Sequence, residues 1–273
     1  MKNRPITKLI FQLKKVDISG YETSFVEKSL LNRISETNCA SESEYCTYIE
    51  QNLNEADLFL NTLSVGYSEF FRNSLSFSVL EKILLNNILS KKGKSNRKEI
   101  RVWSAACSKG QEAYSLAMLL KEFKGVTGED TNFRIFATDC NEEVVNEARK
   151  GHFRADELEN LTGKRLKKWF CKKGDIYTVK PELKQNIDFS VFDLTNADQA
   201  APPASIFGNF DLVICANILF YYNSKSRKAI LEKIKQTLNK DGYFMTGETE
   251  RSLLMMENME EVYSQSSIFR PLK

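Results

Sequence analysis

Apolar residues recur at three- and four-residue spacing through most of the first ninety positions, the period that lines side chains along one face of an α-helix. Segments 45–53 and 55–63 show it, and 74–89 shows it most regularly. Alternating, strand-like stretches are scarce there. The pattern predicts an all-helical domain over 1–90. A polar, basic run follows at 91–98 (KKGKSNRK) without apolar period, which predicts a linker. A solvated loop is its simpler reading, an anion-binding patch the other.

From residue 99 the pattern changes. Short apolar runs at 99–105 (EIRVWSA), 133–138, 210–216 (FDLVICA) and 243–247 read as buried strands. Helical periods at 111–123, 142–150 and 225–238 lie between them. Strands alternating with helices predict a parallel sheet covered on both faces, an α/β domain over 99–273. The stretch 154–192 interrupts the rhythm. Its two strand-like runs, DIYTVK (175–180) and NIDFSVF (186–192), predict a small antiparallel insertion, a β-subdomain.

Composition narrows the class without naming it. The chain has 273 residues, 42% hydrophobic and 27% charged, enough for one large core or a core plus a small domain. A net charge of +3 is too mild to announce a nucleic-acid binder, and no nucleic-acid partner is expected. No run approaches the roughly 18 apolar residues of a membrane span, and no signal peptide is read, so neither export nor membrane insertion is expected. The six cysteines are scattered without a C-x-x-C pair, and the chain has one histidine, which argues against a zinc site. Isolated thiols fit a reducing cytoplasm.

Candidate chemistry lies at the strand ends. The first strand runs into the small residues Ser104, Ala105, Ala106, Cys107, Ser108 and Gly110 before a helix, a turn that lets a ligand approach the backbone closely. About 30 residues later the second strand ends in Thr138-Asp139, and an acid there can accept hydrogen bonds from both ribose hydroxyls of an adenosine. Asp139 could equally cap the following helix. No glycine-rich phosphate motif is present, which suits a nucleoside without phosphates.

Five ordered motifs carry a resemblance. SVGYSEFFR (64–72), VWSAACSKGQEAYSLAM (102–118), FATDCNEEVVNEARKGHF (136–153), FDLVICANILFYY (210–222) and DGYFMTGETE (241–250) occur in the order seen in the CheR-type chemotaxis-receptor glutamate methyltransferases. The chain resembles that family from about residue 10 to its end. The resemblance implies a Rossmann-like S-adenosyl-L-methionine-dependent methyltransferase domain with an N-terminal all-helical domain and a small antiparallel β-subdomain. It implies methyl transfer from S-adenosyl-L-methionine to glutamates on the cytoplasmic helices of chemoreceptors, releasing S-adenosyl-L-homocysteine, by a monomeric enzyme without a metal. A glutamate with an ordinary pKa of about 4.3 is already ionised at neutral pH, so no general base is needed.

Residue by residue, the resemblance implies that Arg72 and Tyr221 lie beside the reacting centre. It assigns donor contacts to Gly66, Ser68, Arg72, Ala106, Glu112, Asp139, Cys140, Asp193, Leu194, Cys215, Ala216 and Asn217. Lys28 and Arg33 match a basic substrate-facing helix. Departures are visible. Asp193 stands where the family has Asn, Ala216 where it has Arg, and Lys109-Gly110-Gln111-Glu112-Ala113-Tyr114 where it has T-G-E-E-P-Y. The hairpin region CKKGDIYTVK is short, and no grip on a receptor C-terminal pentapeptide is expected. These departures leave two other readings: a non-catalytic donor-binding sensor or scaffold, and a methyltransferase for another substrate.

Overall fold

The computed structural model describes residues 4–64, 66–92, 99–127, 132–205 and 208–272. Most of the predicted linker, 93–98, lies outside the described residues. The chain divides into two compact units, Met1–Val65 with Ile218–Ile230, and Gly66–Asn217 with Leu231–Lys273.

The first unit is helical. It contains α1 (Pro5–Lys14), α2 (Thr23–Glu36), α3 (Glu42–Gln51) and α4 (Leu53–Leu63). Pro5 opens α1, where its missing N–H costs nothing, and Ser41 caps α3 by accepting from the Glu44 N–H at 3.2 Å. The apolar faces meet in a core that includes Ile6, Ile10, Val26, Leu30, Ile49 and Phe59. The returning segment adds a stacked ring pair, Tyr21 on Tyr222 at 4.9 Å, and the Asn223 side chain donates to the Ser19 carbonyl at 2.9 Å.

A charged cluster sits in this core. Arg33 forks onto Glu55 (Nε to Oε1 2.8 Å, Nη2 to Oε2 2.6 Å), and the Tyr45 hydroxyl donates to Glu55 Oε1 at 2.6 Å. Burial pushes the Glu55 carboxyl up, but the bonds from Arg33 and Tyr45 outweigh it and hold the group below its usual value. Glu55 is 4% exposed. Glu55→Ala leaves the buried Tyr45 hydroxyl without its acceptor and Arg33 with Glu36 as its remaining carboxylate partner, and is expected to cost about 3 kcal/mol of stability in urea unfolding. A carboxyl whose folded pKa is depressed stabilises above its ordinary value and loses that contribution as pH falls through the folded one. The cost of Glu55→Ala therefore shrinks in acid.

In the second unit, α5 (Ser74–Val79) runs through a π-type turn at Leu80–Leu84 into α6 (Leu85–Lys92). Then come β1 (Ile100–Ala105), α7 (Gln111–Thr127), β2 (Phe133–Asp139), α8 (Glu142–Lys150) and β3 (His152–Arg154). The chain continues through α9 (Gly163–Trp169), β4 (Phe170–Lys173), β5 (Ile176–Val179), α10 (Pro181–Lys184) and β6 (Ile187–Val191). It ends with β7 (Phe210–Ile214), α11 (Ser224–Thr237), β8 (Leu238–Met245), α12 (Arg251–Met255), β9 (Met259–Glu261) and β10 (Ile268–Pro271). Helix α11 begins in the first unit and ends in the second.

Seven strands form one sheet in the order β6-β2-β1-β7-β8-β10-β9. The pairs β6–β2, β2–β1, β1–β7 and β7–β8 are parallel, and β10 is antiparallel to both β8 and β9. The central strands are buried along nearly their whole length, which is why they read as continuous apolar runs. Order reverses at β1, the place where open α/β sheets bind ligands beyond the carboxyl ends of their strands. A second, antiparallel sheet of three strands has the order β3-β5-β4.

Two sequence expectations change. The pattern at 186–192 predicts a strand of the small sheet together with DIYTVK. It is β6, an edge strand of the main sheet paired in parallel with β2. Its half-exposed edge position gives it mixed polarity, the pattern that also marks a small open sheet. The helical period at 74–89 predicts a helix of the N-terminal domain over 1–90, but the second compact unit begins at Gly66, and Phe77, Leu80, Leu84, Leu85 and Ile88 join that unit's core. Period reveals a helix; it does not reveal which core the helix joins.

Candidate functional site

The turn after β1 is built from backbone in the left-handed region. Ala106 (φ 60°), Ser108 (φ 49°) and Gly110 (φ 88°) all have positive φ. A non-glycine residue there costs on the order of 1–3 kcal/mol, strain that clusters at binding sites. At Gly110 a Cβ would also meet the Phe189 ring and the Ala148 Cβ at 3.2 Å, so only glycine fits.

This turn is tied to its neighbours. The Ser108 N–H donates to Asp139 Oδ2 at 3.0 Å, and the Ser108 hydroxyl donates to the Gly66 carbonyl at 3.0 Å. Asp139 Oδ1 accepts from the Asn141 N–H at 3.1 Å. Asn141, not Asp139, caps α8, since its side chain accepts from the N–H groups of Glu143 and Val144. Burial raises the Asp139 carboxyl above its usual value, opposed by the N–H bonds of Asn141 and Ser108. The Phe192 N–H donates to the Asp139 carbonyl at 2.9 Å, which brings the Asp193-Leu194 loop alongside. Asp193 is exposed, with Oδ1 accepting from the backbone and hydroxyl of Thr195, both at 2.7 Å; Leu194 is buried. Cys140 is exposed beside Asp139.

Glu112, in the first turn of α7, accepts a hydrogen bond from the Ser104 hydroxyl at 2.6 Å. Loss of water around its carboxyl raises its pKa to about 7; the Ser104 bond and the Arg72 charge pull down, and Glu250 pushes up. Among the described residues no cation forms an ion pair with it.

Beyond β7, buried Cys215 leads through Ala216 to Asn217, whose φ is 62°. Glu250, fully buried, holds this turn. Its Oε2 accepts from the Asn217 N–H (2.8 Å), the Thr246 hydroxyl (2.7 Å) and the Gly247 N–H (3.1 Å). Glu250 enters the sequence reading only as the last residue of the motif DGYFMTGETE, and this role in holding the turn is not read from it. An acid three residues past a strand's Thr-Gly end is the available signal for Glu250.

Arg72 is exposed. Its guanidinium lies over the Tyr67 ring at 5.0 Å and donates to the Tyr67 carbonyl at 3.2 Å. The preceding Phe71 has φ 51°, and its N–H donates to Ser115 Oγ at 3.1 Å, while Phe70 is buried against Phe153 and Phe170. The FFR run is thus an aromatic anchor with an exposed cation at its end. Ser68 is half-buried beside it.

All predicted donor residues therefore belong to the second unit. Lys28, Arg33 and Tyr221 belong to the first. Lys28 is exposed. Arg33 is half-buried and pairs with Glu55 and Glu36. Tyr221 packs on Phe25 at 4.5 Å and Phe220 at 4.2 Å.

Comparison with known proteins finds similarity over most of the chain. Residues 67–269 match the family model described as CheR methyltransferase, SAM binding domain, and residues 4–64 match CheR methyltransferase, all-alpha domain. The chemotaxis protein methyltransferase of Borreliella burgdorferi is 30% identical over 249 residues, 90% of this chain and 86% of that one. Those of Listeria monocytogenes (28% over 238 residues, 87% and 85%) and Escherichia coli (28% over 253 residues, 90% and 83%) are similar.

Proposed function

Since the chain belongs to the CheR methyltransferase family, we propose that it methylates glutamate side chains of a chemoreceptor, forming methyl esters and S-adenosyl-L-homocysteine. The observation that carries this reading is the pair of carboxyls, Asp139 and Glu112, flanking the strained turn after β1.

The residues present fit the donor. Asp139 keeps a ribose-facing acid at the end of β2, held in place by two backbone N–H groups. Glu112 is a poorly hydrated carboxyl without an ion-pair partner among the described residues, and the ammonium of the donor's methionyl end supplies one. Leu194 offers an apolar flank to the adenine. Gly66, Ser68, Ala106, Cys140, Asp193, Cys215, Ala216 and Asn217 complete the proposed contacts. When bound, S-adenosyl-L-methionine supplies an electrophilic methyl on a sulfonium.

The chain's own task is then positional. Among the described residues the Arg72 fork makes one hydrogen bond, to Tyr67, which leaves donors for an incoming carboxylate. Holding that carboxylate in line and partly dehydrated is proximity catalysis and needs no base. Tyr221 is proposed as a second residue at the reacting centre and Lys28 as a contact to the acidic substrate helix. The reading carries a cytoplasmic, monomeric enzyme without a pentapeptide tether. No described helix is long and apolar enough to cross a membrane. The match to a methyltransferase family favours catalysis over a donor-binding scaffold.

Incubation with methyl-labelled donor and membranes of the source organism tests it. Label on a receptor-sized band, released as methanol by mild alkali, is the expected result. Alkali-stable label, or none on protein, would contradict glutamate esterification.

A further inference from the structure

Glu250, the acid that closes the motif DGYFMTGETE, is fully buried. Three hydrogen bonds converge on one of its oxygens, Oε2, from the Asn217 N–H, the Gly247 N–H and the Thr246 hydroxyl. The Thr246 hydroxyl also stands 3.0 Å from the Cys215 carbonyl, and the Cys215 N–H donates to the Met245 carbonyl at 3.0 Å. The ends of β7 and β8 are thereby laced into one piece. Asn217 is seated tightly in it, with φ 62°. A Cβ at Gly247 would lie 2.5 Å from Asn217 Nδ2 and 3.0 Å from its backbone nitrogen. The Asn217 amide fills the space that any side chain at 247 would take, so the turn has one position.

Register places this clamp beside the turn after β1. Ser104 of β1 pairs with Ile214 of β7, and Ile214 pairs with Met245 of β8. Glu112 is tied to Ser104 at 2.6 Å, Cys215 follows Ile214, and Thr246 follows Met245. Glu112, the turn at 215–217 and the Glu250 clamp therefore share one level across three adjacent strands. That level is the carboxyl end of the parallel strands, where ligands of such sheets bind.

Holding the turn needs an acceptor, not a charge. A glutamine would offer one oxygen to the same three donors and avoid the cost of dehydrating an anion. A carboxyl at this depth acts through its charge as well. It pushes the neighbouring Glu112 carboxyl up, and a cation beside Glu112 relieves both acids. Of the other groups facing Glu112, Arg72 pulls it down and the Ser104 hydroxyl bonds it. The thiols of Cys107 and Cys215 are pushed up by burial and stay neutral.

We propose that Glu250 is a positioning residue of the methyl-donor site: it fixes the turn at 215–217 as a wall for the donor, and its charge favours the donor's cationic end beside Glu112. The proposal rests on the methyltransferase reading and adds to it a residue that acts through Asn217 and Glu112. The two roles separate by substitution. Glu250→Gln removes the charge and keeps an acceptor for the turn. Gly247→Ala leaves both carboxyls in place and crowds Asn217.

The test titrates the full chain with S-adenosyl-L-methionine and S-adenosyl-L-homocysteine by calorimetry between about pH 6 and 9, alongside thermal melting. In Glu250→Gln, affinity at alkaline pH is expected to fall roughly tenfold, the scale of one like charge lost nearby. The acid limb of binding moves to lower pH, because Glu112 loses the neighbour that pushed it up. In a Glu112→Gln background the same substitution moves no limb. Gly247→Ala is expected to lower affinity about tenfold by overpacking and to leave the limb where it was. Glu250→Gln with wild-type affinity and wild-type pH profile overturns the proposal whatever its melting point, and leaves the carboxyl a purely structural part. A folded Gly247→Ala with wild-type affinity also overturns it, since the turn is then no wall of the donor site. If Gly247→Ala does not fold, the limb shift in Glu250→Gln, and its disappearance in Glu112→Gln, decide alone. A wild-type chain without affinity for either compound removes the donor reading and this proposal with it, whereas a wild type that binds beside unresponsive variants removes only the proposal.

Discussion

Replacing Glu112 with Gln is expected to lower donor affinity by at least a hundredfold while raising the thermal midpoint of the donor-free chain above pH 7. The two effects have one cause. The Glu112 carboxyl is raised to about 7 by loss of water, because its nearest partner is the neutral Ser104 hydroxyl. A carboxyl whose folded pKa lies above its unfolded one favours the fold fully below the unfolded value and loses that contribution as pH rises through the folded one. The wild-type chain therefore weakens from about pH 4.5 to above 7 through this group, and Gln removes the trend. Binding runs the other way. An ammonium prefers the ionised carboxylate, so donor affinity should fall about tenfold per pH unit on acidification below 7, with proton release on binding. Calorimetry in two buffers of different ionisation enthalpy measures that release directly. Donor affinity that is flat between pH 6 and 8, or undiminished in Glu112→Gln, would take Glu112 out of the donor site.

The same carboxyl shows what sequence can and cannot disclose. The β1 strand, the small-residue turn and α8 were legible because a buried parallel strand is a plain apolar run and a covering helix repeats at 3.6. Asp139 was legible because strand-end acids recur in this architecture. The ambiguity over its capping role was resolved only by Asn141, whose side chain takes the cap. Glu112 is reached by resemblance; its raised pKa comes from loss of water around the folded carboxyl, opposed by Ser104 and Arg72 and reinforced by Glu250, surroundings that only the fold assembles. Glu250 stayed invisible for the same reason: the turn it holds at Asn217 lies 33 residues away. Strand β6 was placed in the wrong sheet because edge position, not composition, decides its exposure. The short strands β3, β4, β9 and β10 give too few residues for any period to register. Arg33 pairs with Glu55, a partner that a sequence motif does not name.

Arg72→Ala is expected to cut turnover by about 10²–10³ with receptor substrate, the range typical when one electrostatic stabiliser is removed. The geometry explains why the loss should fall on turnover more than on folding. Arg72 is exposed, held by one bond to the Tyr67 carbonyl and by the Tyr67 ring, while Phe70 and Phe71 anchor the run in the core. Truncation leaves that anchor intact, so the thermal midpoint should move little. Lysine at the same position keeps a charge but not the planar fork, and should restore only a minor part of the rate. A second readout separates this role from a structural one. Arg72 pulls the Glu112 carboxyl down from a distance. Its removal must raise that carboxyl further and move the acid limb of donor binding to higher pH. In Glu112→Gln, where nothing titrates there, Arg72→Ala must leave the pH profile of binding unchanged. Full turnover in Arg72→Ala, or a pH profile that does not move, would show that the guanidinium faces neither the acceptor carboxylate nor Glu112.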